Sequence, residues 1–253
     1  MEKKGHTGWY QGLTFFSPNI NILRDPRWGR GQETYGEDPY LSGRMGSAFV
    51  RGLQGSDSGY LKAAACAKHF AVHSGPEAKR HAFDAEADLR DMWETYLPAF
   101  RSLVDAGVES VMGAYNMTNG EPCCSHPYLM KEVLREKWGF RGFFVSDCGA
   151  IRDIHQYQKK AAGPVAAAAV ALKHGCDLNC GQVYEELAQA HERGLITEQE
   201  IDRSVTRLLR TWFRLGFFDP TEKVPFSRLG AEVIHSPDHV APAPVSLEAA
   251  LGR

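Results

Sequence analysis

Five short apolar runs of this sequence each end in polar residues able to do chemistry. Asn19, Asn21, Arg24 and Asp25 follow the first run, and Lys68, His69 and His73 the second. Tyr115, Asn116 and Asn119 follow the third, Ser146 and Asp147 the fourth, and Asp177 and Asn179 the fifth. The set mixes cations, amides and carboxylates with one phenol and holds no glycine-rich phosphate loop. A ligand with hydroxyls all round, such as a sugar, requires this mixture of donors and acceptors. A carboxylate placed like Asp147 can serve as a nucleophile, or can merely cap a helix opening at Gly149, Ala150 and Ile151. The residues alone leave both open.

The elements that must position these groups alternate in period. Strand-like runs fall at Leu13–Asn21, Ala64–His69, Ser110–Tyr115, Phe143–Ser146 and near Cys176–Leu178. Between them lie segments of helical period. From Leu89 the apolar positions Met92, Trp93, Tyr96, Leu97, Phe100, Leu103 and Val104 form one stripe. A second helix is expected from Pro127 to a stop at Gly139, with Met130, Val133, Leu134 and Trp138 buried. Helices also fit Pro164–Lys173 and Val183–Arg193. Thr197 and Glu200 form a capping box for a last one, with Ile201, Val205, Leu208, Leu209 and Trp212 on one face and Gly216 at its end. Alternation of this kind implies a parallel α/β sheet with crossover helices, in which polar residues after the strand C-termini converge on one face. Five strands are too few to close an eight-stranded barrel, so the pattern fits either an open doubly wound sheet or a barrel lacking its opening units. Beyond Phe217, Asp219–Pro220, Pro225, Pro237, Pro242 and Pro244 give a linker-like composition without a clear element.

Composition narrows the partners. At 253 residues and 43% hydrophobic, the chain can bury a sizeable core, and 29 basic against 31 acidic residues offer no polyanion-seeking surface. Nucleic acid is not an expected partner. No run reaches the roughly 18 apolar residues of a membrane span, and the opening MEKKGHTGWY has no apolar signal core. The six cysteines read as buried thiols, and no histidine stands at structural-zinc spacing from them, so no metal is expected.

Four ordered segments carry a resemblance. Arg24–Pro39 reads RDPRWGRGQETYGEDP, Cys66–His81 reads CAKHFAVHSGPEAKRH, Val111–Asn119 reads VMGAYNMTN and Gly139–Gly149 reads GFRGFFVSDCG. Together they resemble the barrel domain of the family-3 glycoside hydrolases over roughly residues 9 to 240. The resemblance implies an α/β chain of (β/α)8 TIM-barrel type, incomplete at its opening strands, over residues 1–217, with 218–253 as a linker-like tail. It implies a retaining exo-β-glycosidase directed at terminal β-linked xylose or glucose, needing no cofactor and taking a small oligosaccharide or β-glycoside as partner. Asp147 matches the nucleophile that forms the glycosyl-enzyme. Lys68 and His69 match sugar-hydroxyl ligands, with a cis peptide between them, and Arg30 matches the guanidinium that clamps two hydroxyls, with Arg27 as its rival and Glu33 as its orienting partner. Tyr115 would border the nucleophile and Met112 would line the same pocket. His73, Glu77 and His81 could edge it. Nearby cations or hydrogen bonds are expected to hold the Asp147 pKa low.

Two departures qualify the resemblance. The family's opening strands, with a carboxylate for the far hydroxyls, have no counterpart before Glu2, and its general acid/base usually comes from a second domain downstream. A catalytically weak or silent sugar-binding chain is therefore the alternative to an active glycosidase. A doubly wound dinucleotide-binding domain is disfavoured, because no G-x-G-x-x-G follows the first strand.

Overall fold

The computed structural model describes residues 12–240, which fall into two compact units divided between Phe217 and Phe218. The first unit is α/β. Its main sheet has four strands, β1 (Thr14–Phe15), β2 (Ala64–Phe70), β4 (Ser110–Gly113) and β7 (Phe143–Ser146), in the order β1-β2-β4-β7 and all parallel. Each strand lies beside its predecessor, so the order never reverses and the sheet has no switch point of the doubly wound kind. Apart from Lys68, every residue of β2, β4 and β7 is buried, as strands covered on both faces require. Gly142 lets β7 begin against β4, because a Cβ there would lie 2.0 Å from the Glu109 carbonyl oxygen.

Three of the five expected strands form with boundaries close to those read from sequence. The first is shorter, since Pro18 lacks an N–H and breaks the ladder, which resumes as a parallel bridge between Asn19 and Lys68. The fifth is reduced to a bridge between Leu178 and Val145, backed by the Ser146 N–H donating to the Leu178 carbonyl at 2.9 Å. A second sheet of β3 (Asp84–Ala85), β5 (Met117–Thr118) and β6 (Glu121–Pro122) had no period to announce it, being made of two-residue strands.

The helices follow the expected stripes. Leu89–Asp91 (α2), a π-helical turn at Met92–Tyr96 and Pro98–Asp105 (α3) run in succession, with Met92, Tyr96, Leu97, Phe100 and Leu103 buried. The segment from Pro127 is a π-helix over Tyr128–Lys137 that buries Leu129, Met130, Val133 and Leu134, and Gly139 follows it at φ 66°. Next come α4 (Ala150–Gln156), α5 (Pro164–His174), a 3-10 turn at Val183–Glu186, α6 (Leu187–Glu192) and α7 (Glu198–Arg214), the last with both halves of its capping box formed. The face of α7 differs from expectation: Ser204 and Thr211 are its buried positions, while Val205 and Trp212 are more than 40% exposed. Thr211 turns inward because its hydroxyl donates to buried Glu109 at 2.8 Å, which rotates the stripe by one position. The helix α1 (Pro39–Gln54) was missed from sequence although its start is legible: Asp38 caps Tyr40 and Leu41, and Pro39 occupies the first turn. In the second unit the described residues 218–240 form short 3-10 turns and α8 (Pro237–Val240). Among the described residues no helix is long and apolar enough to cross a membrane.

One buried ion network fixes the strand that ends at residue 147. Asp177 accepts from the Phe144 backbone N–H at 2.9 Å, from Arg135 Nη2 at 2.8 Å and from Arg207 Nη1 at 2.9 Å, so β7, the π-helix and α7 share one carboxylate. Burial drives the Arg135 guanidinium down to about 10, with the Asp177 charge opposing it. Asp177→Ala would strand a buried guanidinium and a strand N–H together, and is expected to lower the unfolding free energy by about 3–5 kcal/mol in urea titration.

Candidate functional site

The C-terminal ends of β2, β4 and β7 bring most of the singled-out residues together. At β2, the peptide bond between Lys68 and His69 is cis, as the resemblance implied, and so is that between Phe70 and Ala71. His69 is 1% exposed and is held by Asn21. The His69 N–H donates to Asn21 Oδ1 at 2.8 Å, and Asn21 Nδ2 donates to the His69 carbonyl at 2.8 Å. Those two bonds fix which end of the amide is oxygen. His69 Nδ1, 3.0 Å from the same Oδ1, is therefore the protonated nitrogen, and Nε2 presents a lone pair. Asn116 treats His73 in the same way: its Nδ2 donates to the Met117 carbonyl at 2.8 Å, and its Oδ1 accepts from His73 Nδ1 at 3.1 Å.

Asp147 follows β7 directly and is buried. Its Oδ1 accepts from the Cys148 N–H at 2.7 Å. Its Oδ2 lies 3.5 Å from His69 Nε2 and 3.8 Å from Arg30 Nη1, and has no hydrogen-bond partner among the described residues. Gly149, at φ 85°, takes the cap position of α4, so the helix-cap role does not fall to the Asp147 side chain. Arg30 is set by Glu33 through two bonds, Nε to Oε1 at 2.7 Å and Nη2 to Oε2 at 2.9 Å. Lys68 Nζ stands 3.7 Å from Glu33 Oε2, which places two cations, one imidazole and two carboxylates in a single cluster. Tyr115 borders it, its hydroxyl donating to the Cys148 carbonyl at 2.9 Å.

Other expected members lie elsewhere. Met112, expected along the pocket, is 1% exposed and packs with Cys66, Phe143 and Val145 in the core. It pairs in register with Val145, so its side chain falls among the apolar residues of the strands rather than at their polar ends. Arg27, the rival of Arg30, pairs with Asp25 at 2.7 Å with 73% of its side chain exposed. Glu77 is paired with Arg80. The cysteines were misjudged in part. Cys66, Cys123, Cys124 and Cys176 are buried thiols, but Cys148 and Cys180 form a disulfide. The loop after β7 and the segment after the Leu178 bridge run side by side, with the Gly149 N–H donating to the Cys180 carbonyl at 2.7 Å. That proximity depends on a strand pairing too short to be read from period. Asn21 and Asn116 were noted as strand-end residues without a role, and their amides turn out to orient the two imidazoles.

The electrostatics depart from expectation at Asp147. Burial raises its pKa, and the Cys148 N–H, the Arg30 charge, the Tyr115 hydroxyl and Lys68 only oppose that rise. Burial also outweighs everything else at the histidines, taking His69 well below the usual imidazole range and His73 down to about 3. With His69 neutral, its 3.5 Å approach to Asp147 sets two lone pairs facing each other rather than forming an ion pair. A ligand hydroxyl is the kind of donor that both atoms lack.

These shifts have opposite consequences for stability. The two histidines bind protons in the unfolded chain before they do so in the folded one, so their contribution is present above pH 6.5 and is lost on acidification. For His73 the loss between pH 6.5 and pH 5 is about 2 kcal/mol at roughly 1.4 kcal/mol per pH unit. For Asp147 the folded state holds its proton longer, so ionisation at neutral pH costs stability. Asp147→Asn is expected to raise the thermal midpoint at pH 7 and to give no gain below the ordinary carboxylate range, and His73→Asn to flatten the acid limb. Calorimetric scans from pH 3 to 7.5 check both.

Comparison with known proteins identifies the family. The model of the "Glycosyl hydrolase family 3 N terminal domain" matches residues 11–211. Among curated relatives, a xylan 1,4-beta-xylosidase of Xylanibacter ruminicola is 47% identical over 224 residues, covering 87% of this chain and 26% of that protein. A probable beta-D-xylosidase of Arabidopsis thaliana is 42% identical over 250 residues, covering 93% and 32%. Among solved structures, a family-3 exo-beta-xylosidase in complex with a xylobiose aziridine activity-based probe superposes with TM-score 0.86 at 34% identity, covering 90% of this chain and 31% of that one. A mutant beta-glucosidase of Listeria innocua in complex with laminaribiose gives 0.80 at 32% identity, covering 90% and 32%. This chain thus spans about a third or less of the length of the proteins it matches. Sequence and fold together make the chain a member of glycosyl hydrolase family 3, matching that family's N-terminal domain over residues 11–211.

Proposed function

We propose that the chain carries the nucleophile and terminal-sugar site of a retaining exo-β-glycosidase for non-reducing β-linked xylose or glucose, on part of a (β/α)8 barrel formed by residues 1–217. The observation that carries this is the buried Oδ2 of Asp147, without a hydrogen-bond partner and faced by Arg30 Nη1 at 3.8 Å and His69 Nε2 at 3.5 Å. The unreversed order of the four parallel strands supports the barrel. The names of the relatives, xylan 1,4-beta-xylosidase and probable beta-D-xylosidase among them, favour xylose.

In this role Asp147 Oδ2 attacks the anomeric carbon and forms an ester to it as the bond from that carbon to the leaving-group oxygen breaks, while the Cys148 N–H steadies Oδ1. Water then hydrolyses the ester and frees the carboxylate. Arg30 donates through Nη1 to a sugar hydroxyl, its other nitrogens being committed to Glu33. His69 Nε2, a neutral acceptor, accepts a hydrogen bond from a sugar hydroxyl, and Lys68 donates to a further oxygen. Residues 218–253 serve as the linker beyond the catalytic unit.

A catalytically silent sugar-binding chain is favoured by one observation. Glu33, the other carboxylate of the cluster, is committed to Arg30, Lys68 and Asn19, so it is not free to protonate a leaving group. A 2-deoxy-2-fluoro-β-xyloside with a dinitrophenolate leaving group needs no acid and separates the two. We expect it to add one fluoroxylosyl group to the peptide containing Asp147, read by mass spectrometry, and Asp147→Asn to abolish the adduct. Absence of label on the unsubstituted chain would favour silent binding and overturn the nucleophile assignment.

A further inference from the structure

Three buried polar atoms beside the loop that carries Arg30 have no hydrogen-bond partner among the described residues: Trp28 Nε1, His73 Nε2 and Glu77 Oε2. Trp28 and His73 are 4% and 3% exposed, and their ring centroids lie 5.6 Å apart, edge to face. All three residues line one small cavity, together with Arg80, Phe83 and Asn116. The centre of a water molecule has about 10 Å³ in which to sit there, room for one molecule and little more. The role of each atom is fixed. An indole N–H only donates, and the Glu77 carboxylate, paired with Arg80, accepts. His73 Nδ1 donates to Asn116 Oδ1 at 3.1 Å, and burial keeps the ring neutral, so Nε2 is an acceptor too. One donor and two acceptors buried without partners are costly, and a single small molecule of the right chemistry satisfies them together.

We propose that this cavity binds one water molecule, which accepts from Trp28 Nε1–H and donates its two protons to His73 Nε2 and Glu77 Oε2. Ammonium has no lone pair for the indole, and a halide has no proton for the two acceptors, so water alone among small species fits the set. A single held molecule makes these bonds without admitting bulk solvent beside the imidazoles. It joins two segments that meet at the site. Trp28 stands two residues before Arg30, and His73 and Glu77 lie on the segment after β2. Direct contacts already press the two together: the Glu77 N–H donates to the Arg27 carbonyl at 3.3 Å, and a Cβ on Gly29 would come within 3.0 Å of Glu77 Oε2. The His73 ring lies 4.7 Å from that of His69, so the water ties the Arg30 loop to the imidazole next to the one that faces Asp147. Trp28 and Glu77 thereby become positioning residues for Arg30. This consequence rests on the assignment of Arg30 to the terminal-sugar pocket.

NMR of the nitrogen-15-labelled chain tests the water, and the kinetics of fluoroxyloside labelling test its consequence. In the unsubstituted chain the Trp28 Nε1–H resonance is expected to show a cross-relaxation peak to water with the sign of a long-lived bound molecule. Absence of that peak, or a crystal structure in which the indole N–H bonds directly to the Glu77 carboxylate, overturns the site. Trp28→Phe keeps an aromatic ring and removes the donor. It is expected to raise the half-saturating concentration of the 2-deoxy-2-fluoro-β-xyloside about fivefold and to leave the limiting rate of labelling at Asp147 unchanged. Glu77→Ala should do the same, and Glu77→Gln, which still offers the water a carbonyl oxygen, should label like the unsubstituted chain. An unchanged half-saturating concentration in Trp28→Phe, or equal losses in Glu77→Gln and Glu77→Ala, overturns the positioning role. If the unsubstituted chain takes no label, the sugar reading fails and the role of Arg30 with it, while the indole resonance still decides the water site.

Discussion

A carboxylate drawn out of water at the end of a parallel strand is the constraint around which this unit is arranged. Removing Asp147 from solvent penalises its charged form, and the structure answers with one backbone N–H and the nearby charges of Arg30 and Lys68 rather than with a full ion pair. The guanidinium is kept at 3.8 Å because Glu33 holds it through two bonds. Had Arg30 closed directly on Asp147, the bidentate pair would have satisfied both oxygens and left nothing for a ligand. Glu33 thus keeps a positive charge near the carboxylate while leaving Oδ2 uncommitted. The neighbouring imidazole is kept neutral by burial and aimed by an amide, so it adds an acceptor and no counter-charge.

Such a cluster holds only if its supports are stiff. Asp147 is one residue past β7, and β7 is fixed on one side by its register with β4 and on the other by Asp177. Asp177 ties the strand to two arginines on separate helices, and Glu109, just before β4, ties that strand to α7 through Thr211 and Arg214. Buried charges of this sort seldom increase stability over an apolar core of the same volume. Their effect here is directional: each carboxylate joins a strand to a helix far along the chain, so the strand cannot slide without stranding a charge.

Legibility from sequence followed the physics of each element. Helical stripes such as Met92–Leu103 and the capping box at Thr197 and Glu200 repeat over several turns, and they formed where period placed them. Period failed where an element is only one or two residues long, as at β3, β5 and β6, or where a proline interrupts the ladder, as at Pro18. It also misplaced the face of α7, because the Thr211 hydroxyl turns inward to Glu109 rather than to water. The strand-end rule singled out Lys68, His69, Tyr115 and Asp147, which cluster, while Arg30 and Met112 came only from the resemblance, and Met112 lies along β4 among core residues. The Cys148–Cys180 link and the Asn21 clamp join residues 32 and 48 positions apart, and no local pattern encodes contacts of that separation.

The same reasoning explains why the ring contacts around the site escaped notice. His69 lies in β2, His73 and His81 on the segment after it and Tyr115 after β4, so the row of rings from His69 through His73 and Tyr115 to His81 exists only once the crossover from β2 to β4 has brought their ends together. Its physical logic is continuous with that of the carboxylate. Rings near Asp147 exclude water and keep imidazoles neutral, which strengthens every electrostatic contact in the pocket. Farther out, where His81 is partly exposed, that exclusion ends. A gradient from dry to wet along one row of rings thus confines the low-dielectric surroundings to the end that holds the carboxylate.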